Sequence, residues 1–161
     1  MARGNGIIVS SNPRGVFMEG QIATGETPKP GQFLQIQPAT ALVGGRHTFE
    51  IYNVAADGSR PSGPLYLLLP DELQGKVATD AYAAGDRCFL YTPCAGEEYN
   101  LLWANVAGTA TISKGTVGIV DDTTGKVIAT TGSPETEPCM LLEDIVDNAA
   151  DQLAWSIWSG Y

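Results

Sequence analysis

The chain is poor in charge, and poorest in positive charge. Only 17% of its 161 residues are charged, against about a quarter in an ordinary domain. Nine Lys and Arg stand against 18 Asp and Glu, a net charge of −9. That balance argues against a nucleic-acid groove, whose affinity depends on Lys and Arg neutralising phosphates. The same deficit argues against an anionic membrane surface. Histidine is nearly absent. The single His47 follows Gly44-Gly45, with no second histidine and no close cysteine. It lacks the spacing of a zinc site and reads as a surface or structural residue. Cysteines are few and odd in number, which fits a reducing compartment better than a disulfide framework. Cys88 and Cys139 sit inside apolar runs and read as small core residues, while Cys94 follows Pro93 in a loop. None has the neighbouring base that a nucleophile needs. No apolar stretch reaches the roughly 18 residues that span a bilayer. Ile7-Ile8-Val9 is too short for the apolar core of a signal peptide, so a cytosolic chain is expected at synthesis.

Glycine and proline are abundant, 19 and 10 residues, and they favour many short elements joined by turns. The first 46 residues hold four of the prolines and eight of the glycines. Their apolar residues come in bursts: Ile7-Ile8-Val9, Val16-Phe17-Met18 and Phe33-Leu34-Gln35-Ile36. Residues 1–45 read as an extended arm with one or two peripheral strands, or else as the first hairpins of the core.

Residues 46–161 read as the core. Phe49 and Ile51 alternate with polar neighbours, the period of a half-buried strand. Leu65–Leu69 and Cys88–Tyr91 are continuous apolar runs closed by prolines, as strands buried on both faces are. Tyr99, Leu101 and Trp103 share a face. Short strands follow at 109–112, 117–120 and 126–130, the last two joined by an Asp121–Gly125 hairpin loop. Strands at 139–142 and 153–158 close the chain. The one helix expected is 143–150, with acids in its first turn. The fold class is all-β: a compact barrel or sandwich of short strands, with an extended N-terminal arm and at most one short helix. No internal repeat of fixed period is visible.

Catalytic patterns are sparse. Gly118 and Gly125-Lys126-Val127 miss the spacing and the Ser or Thr of a phosphate loop. The pairs Glu97-Glu98, Asp121-Asp122 and Glu143-Asp144 are adjacent, so on strands their side chains diverge. Asp144, Asp147 and Asp151 read as a solvated acidic helix face. Neither a metal nor a cofactor is expected. On the last strand, Leu153, Trp155 and Ile157 are expected inward. Trp158 is then outward, a contact for another chain, unless the arm folds back over it.

Four blocks of sequence resemble a family of small tailed-phage head decoration (capsid cement) proteins. The first is Glu19-Gly20-Gln21-Ile22, then Gly25, Pro30-Gly31 and Leu34. The second is Asp80-Ala81-Tyr82-Ala83-Ala84-Gly85-Asp86, then Pro93 and Gly96. The third is Ile112-Ser113-Lys114-Gly115, then Gly125-Lys126-Val127. The fourth is Leu141-Leu142-Glu143-Asp144 and a strand through Trp155. These are turn and strand positions, with Gly85 and Gly115 free to take positive φ.

The resemblance implies a structural virion protein and not an enzyme. It would bind the outer surface of the assembled head, after a time in the host cytoplasm, and bridge major capsid protein subunits. Many such proteins are trimers, so a homotrimer is expected. Ile7, Ile8, Val9, Val16, Phe17 and Phe33 of the arm, with Trp158 and Tyr161, are the candidate capsid or self-association contacts. On this reading, removing residues 1–20 lowers capsid affinity and leaves the β-core folded. The alternative is a carbohydrate-binding or fibre-like β-module on a virion surface, stacking sugars on Trp158 or Tyr161. A small hydrolase using acidic pairs is a third reading.

Overall fold

The computed structural model describes residues 7–10, 13–37, 42–53, 63–104, 111–130, 138–146 and 150–159. The described chain is all-β, as expected. Strands β1 (Phe17–Ile22), β2 (Phe33–Ile36), β3 (His47–Ile51), β4 (Tyr66–Leu69) and β5 (Arg87–Tyr91) close one barrel, in the ring order β1-β3-β2-β4-β5. Then come β6 (Glu98–Trp103), β7 (Thr111–Ile112), β8 (Val117–Val120), β9 (Val127–Thr130), β10 (Cys139–Leu141), β11 (Ile145–Val146) and β12 (Gln152–Trp158). Of these, β10-β12-β6-β9-β8 close a second barrel, and β7 pairs with β11. Five strands cannot close a ring by alternating direction alone, so an odd number of parallel pairs is forced. Each barrel has one, β1 with β3 and β6 with β9.

The two rings are the same ring. Name the strands of each barrel a to e in chain order. Both then read a-c-b-d-e, with a parallel to c. The registers agree as well. Ile22 opposite Phe49 corresponds to Trp103 opposite Val127. Ile36 opposite Phe49 corresponds to Val120 opposite Val127. Leu68 opposite Leu90 corresponds to Leu141 opposite Ser156. Loop hydrogen bonds repeat too: Gly31 N–H donates to Leu68 O, and Gly115 N–H donates to Leu141 O. The fold is therefore an internal duplication, where the sequence shows no repeat.

Compensating volumes hide it. Inside barrel 1, Gly20 is small because the Phe49 ring lies against it. The equivalent pair in barrel 2 is Leu101 and Val127. Conversely, a Cβ on Gly118 would meet the Trp103 ring at 2.7 Å, whereas the equivalents of these two residues in barrel 1 are Leu34 and Ile22. A close-packed interior fixes summed volume and leaves each single side chain free to differ.

The sheets explain the apolar runs. Leu34, Leu68 and Leu90 fill barrel 1 with Ile22, Phe49 and Cys88. Their neighbours Phe33, Leu67 and Tyr91 point the other way, into a second cluster with Tyr99, Leu101, Trp103 and Trp158. Strands at the junction are thus buried on both faces.

Four expectations change. First, β1 and β2 are members of the barrel 1 ring, so 45/46 is not a boundary between sheets. Among the described residues of that region, 7–10 lie as an added segment along β6. Ile7 is 1% exposed in the shared cluster, so cutting residues 1–20 removes core and part of β1. Second, 143–150 is not a helix where it is described, because Ile145 and Val146 pair with Ile112 and Thr111. Positions 147–149 lie outside the described residues. Among the described residues a helical turn stands instead at Glu72–Gln74, a 3₁₀ turn capped by the Asp71 side chain and ended by Gly75 at φ 73°. Third, the face of β12 is reversed. Ala154, Ser156 and Trp158 are buried, while Leu153, Trp155 and Ile157 are half-covered. The inner face of a five-stranded barrel is narrow, and Ala154 and Ser156 leave room for Trp103. Its Nε1 donates to Ser156 Oγ at 2.9 Å. Fourth, the two described acids of the expected helix face, Asp144 and Asp151, are engaged. Asp144 accepts from Lys114 N–H, and Asp151 pairs with Lys126 at 2.7 Å.

Candidate functional site

The eight contact candidates separate by burial. Phe33 and Trp158 stack on each other, ring centroids 4.9 Å apart, and both are buried. With Ile7 they are core residues and not contacts. Their apolar character alone could not say which surface covers them. Phe33 reaches over from β2 of barrel 1, so Trp158 is covered from within the chain by a barrel strand and not by a folded-back arm. Ile8 and Val9 are half-buried along β6. Tyr161 lies outside the described residues. Val16 and Phe17 remain on the surface, 64% and 59% exposed. They form an apolar patch at the start of β1.

A buried carboxylate anchors that patch. Arg14 N–H donates to Glu97 Oε1, and Gly15 N–H donates to the Tyr91 hydroxyl. Thr92 N–H donates to Val16 O at 2.9 Å. The Phe17 ring meets Tyr91 edge-on, centroids 4.9 Å apart. Glu97 is 2% exposed. Its Oε2 accepts from the Tyr91 hydroxyl at 2.9 Å, from the Tyr99 hydroxyl and from Cys94 N–H at 3.4 Å. Burial opposes its charge. The donors from Tyr99, Arg14, Tyr91 and Cys94 outweigh burial and hold the carboxyl below its ordinary value. Burial and the Glu97 contact push the Tyr99 hydroxyl up. The cluster is therefore a locked ionised carboxylate between neutral phenols, suited to fixing the chain 14–16 against the junction of the barrels. By spacing alone Glu97-Glu98 is a diverging pair. They do diverge: Glu98 accepts from Trp155 Nε1 at 2.9 Å. Spacing does not say which of the two is buried; the signal for Glu97 is Tyr99 two residues on, whose hydroxyl needs a partner.

A second chain of charges runs beside β1. Glu19 lies 3.5 Å from Arg46 and 3.2 Å from Arg87, and Arg87 lies 3.5 Å from buried Asp71. These pairs tie the turn before β3 to β1. His47 is exposed. Cys88 and Cys139 are buried, and Cys94 is half-buried. Burial pushes the Cys88 thiol up to about 12, which leaves it protonated at neutral pH. Among the described residues, no three His, Cys, Asp or Glu side chains gather as a metal site requires. No helix among them is long and apolar enough to cross a membrane.

The resembling blocks meet in space in pairs. Ile22 N–H donates to Asp86 O, Gly85 N–H to Ile22 O, and Gln21 Nε2 to Gly85 O. These join the first block to the second. Gly115 N–H to Leu141 O and Lys114 N–H to Asp144 join the third to the fourth. Gly85 and Gly115 have φ of 84° and 88°. Comparison of the chain with protein-family models and with curated proteins finds no match.

Proposed function

We propose that the chain is a structural head protein of a tailed phage. It binds the outside of the assembled shell and bridges neighbouring major capsid subunits, acting as a homotrimer without turnover or cofactor. The observation that supports this reading best is the pairing of the four blocks: each sits at a turn that fixes a barrel, and each touches its partner block. A shared fold-setting pattern of that kind gives the resemblance a physical basis. Other features are compatible with it. A net charge of −9 suits a surface away from packaged DNA. Closed barrels with a shared core make a stiff body, and the bare apolar patch Val16-Phe17 offers a contact. Burial of Trp158 removes one of the two aromatic residues on which the carbohydrate-binding alternative rests.

Co-sedimentation of the purified protein with mature, undecorated heads, followed by imaging, tests the proposal. Saturable binding at fixed lattice positions is expected. Absence of binding to several related heads contradicts it and makes a glycan array the next experiment.

A further inference from the structure

The duplication exposes one difference between the barrels that concerns binding. The first strand of each barrel, β1 or β6, has one side bonded to the fifth strand. Its other side faces the third strand. In barrel 2, β9 reaches β6 at Trp103 alone. The rest of that side is filled from elsewhere in the chain. Leu102 N–H donates to Gly31 O at 3.0 Å. Residues 7–10 lie antiparallel along the remainder, with Ile8 opposite Tyr99. Val9 N–H donates to Glu98 O, Asn100 N–H donates to Ile7 O, and Glu98 N–H donates to Ser10 Oγ.

In barrel 1, β3 covers β1 only over Gly20–Ile22. Phe17, Met18 and Glu19 are the counterparts of Glu98, Tyr99 and Asn100. Val16 and Glu97 make the same bond to the fifth strand, from Thr92 and Trp158 respectively, so the same alternate groups turn to the open side. Among the described residues, nothing bonds the Phe17 N–H, the Phe17 carbonyl or the Glu19 N–H. The turn Val43–Arg46 steers the chain off this line, held by Arg46 on Glu19, and Leu42 and Val43 are exposed on it. An unpaired strand edge beside exposed apolar side chains is a template for an added strand.

We propose that the edge Phe17–Glu19 is a strand-addition site. It takes an extended, β-branched apolar segment of the head subunit, laid antiparallel as residues 7–10 lie on β6. The identity of that partner rests on the head-binding reading above; the edge itself does not. The chain displays the chemistry of its own occupant in barrel 2, Ile-Ile-Val-Ser. A second copy is the poorer donor, because its Ile7 is already buried in its own core. The Glu19 carboxylate is held by Arg46 and Arg87, so the edge offers backbone groups and apolar contact more than net charge.

Hydrogen–deuterium exchange resolved to single amides tests this on the full chain. In the free protein the Phe17 and Glu19 amides should exchange fast, and those of Glu98 and Asn100 slowly. A synthetic peptide copying residues 5–12 should slow Phe17 and Glu19 by about tenfold or more, since each is opened only when the added strand leaves. The same peptide with Pro in place of Val9 should not, because it lacks the donor to the Phe17 carbonyl. Binding to heads should slow the same two amides. Protection of Phe17 and Glu19 in the free protein, or protection by the Pro peptide alike, overturns the site. Head-bound protein whose Phe17 and Glu19 still exchange fast overturns the inference and leaves head binding standing. Peptide protection without any head binding keeps the edge and overturns the partner assigned to it.

Discussion

Two side chains decide how the junction of the barrels is read. Glu97 is ionised inside the fold, with its carboxyl held below the ordinary value of 4.5. A lowered carboxyl contributes stability above the unfolded value and loses it as pH falls through the folded one. The protein is therefore expected to weaken on acidification below about pH 4.5. Glu97→Gln should cost about 1–3 kcal/mol at neutral pH by leaving charge-assisted hydrogen bonds weakened. The variant should also show a flatter acid limb. Urea unfolding of both proteins between pH 3 and 7 measures this, and parallel pH profiles would contradict it. Trp158 is the second case. Its ring is stacked on Phe33 in the shared core, so Trp158→Ala should cost about 3–5 kcal/mol of stability. Normal urea stability with impaired assembly would return it to the role of a surface contact.

Turns and strands give the duplication its own controlled comparison. Gly31 and Gly115 precede the second strand of each barrel, with φ of 87° and 88°. Gly115 faces open space, whereas a Cβ on Gly31 would meet Leu153 Cδ2 at 2.5 Å and Leu102 N at 3.0 Å. Gly115→Ala should therefore cost only the left-handed backbone penalty, about 1–2 kcal/mol. Gly31→Ala should cost clearly more, because the barrels must part to admit it. Equal losses in thermal melts would deny that this turn is the joint. The added segment makes a similar claim. Ile7→Ala should destabilise by about 2–4 kcal/mol, and a chain cut after Ser10 should melt lower than the whole one. A truncated chain that melts unchanged would restore the free arm.

Much of this was legible in the sequence at the same scale. Period-two patterns and apolar runs placed most strands within a residue or two: Val117–Val120 as expected, Cys139–Leu141 and Gln152–Trp158 nearly so. The faces were less legible. On β12 the larger apolar residues lie on the half-covered side, and the small Ala154 and Ser156 lie inside, because Trp103 takes the space. The acids at 143–144 resembled a helix start. They instead accept from Trp155 N–H and Lys114 N–H, and the β-branched Ile145-Val146 pairs as strand. The repeat was illegible because large and small residues changed places between Gly20/Phe49 and Leu101/Val127. Of the contact candidates among the described residues, only Val16 and Phe17 are bare surface. Hydrophobicity marks what wants cover, not what covers it.

The described residues form a pair of like barrels joined through one core and one strand edge, with a second, matching edge unpaired among them. On the proposed reading that asymmetry links fold to function: the second barrel's edge is satisfied within the chain, and the first barrel's edge is offered to a partner. In solution a species three times the 17.0 kDa chain is expected by sedimentation equilibrium if the trimer forms before binding. The central claim is tested most directly by mixing the purified protein with mature, undecorated phage heads, pelleting them and imaging the pellet. The account predicts saturable, stoichiometric density at fixed positions on the outer shell, contacting more than one capsid subunit. Heads from several related phages that pellet without the protein would contradict it.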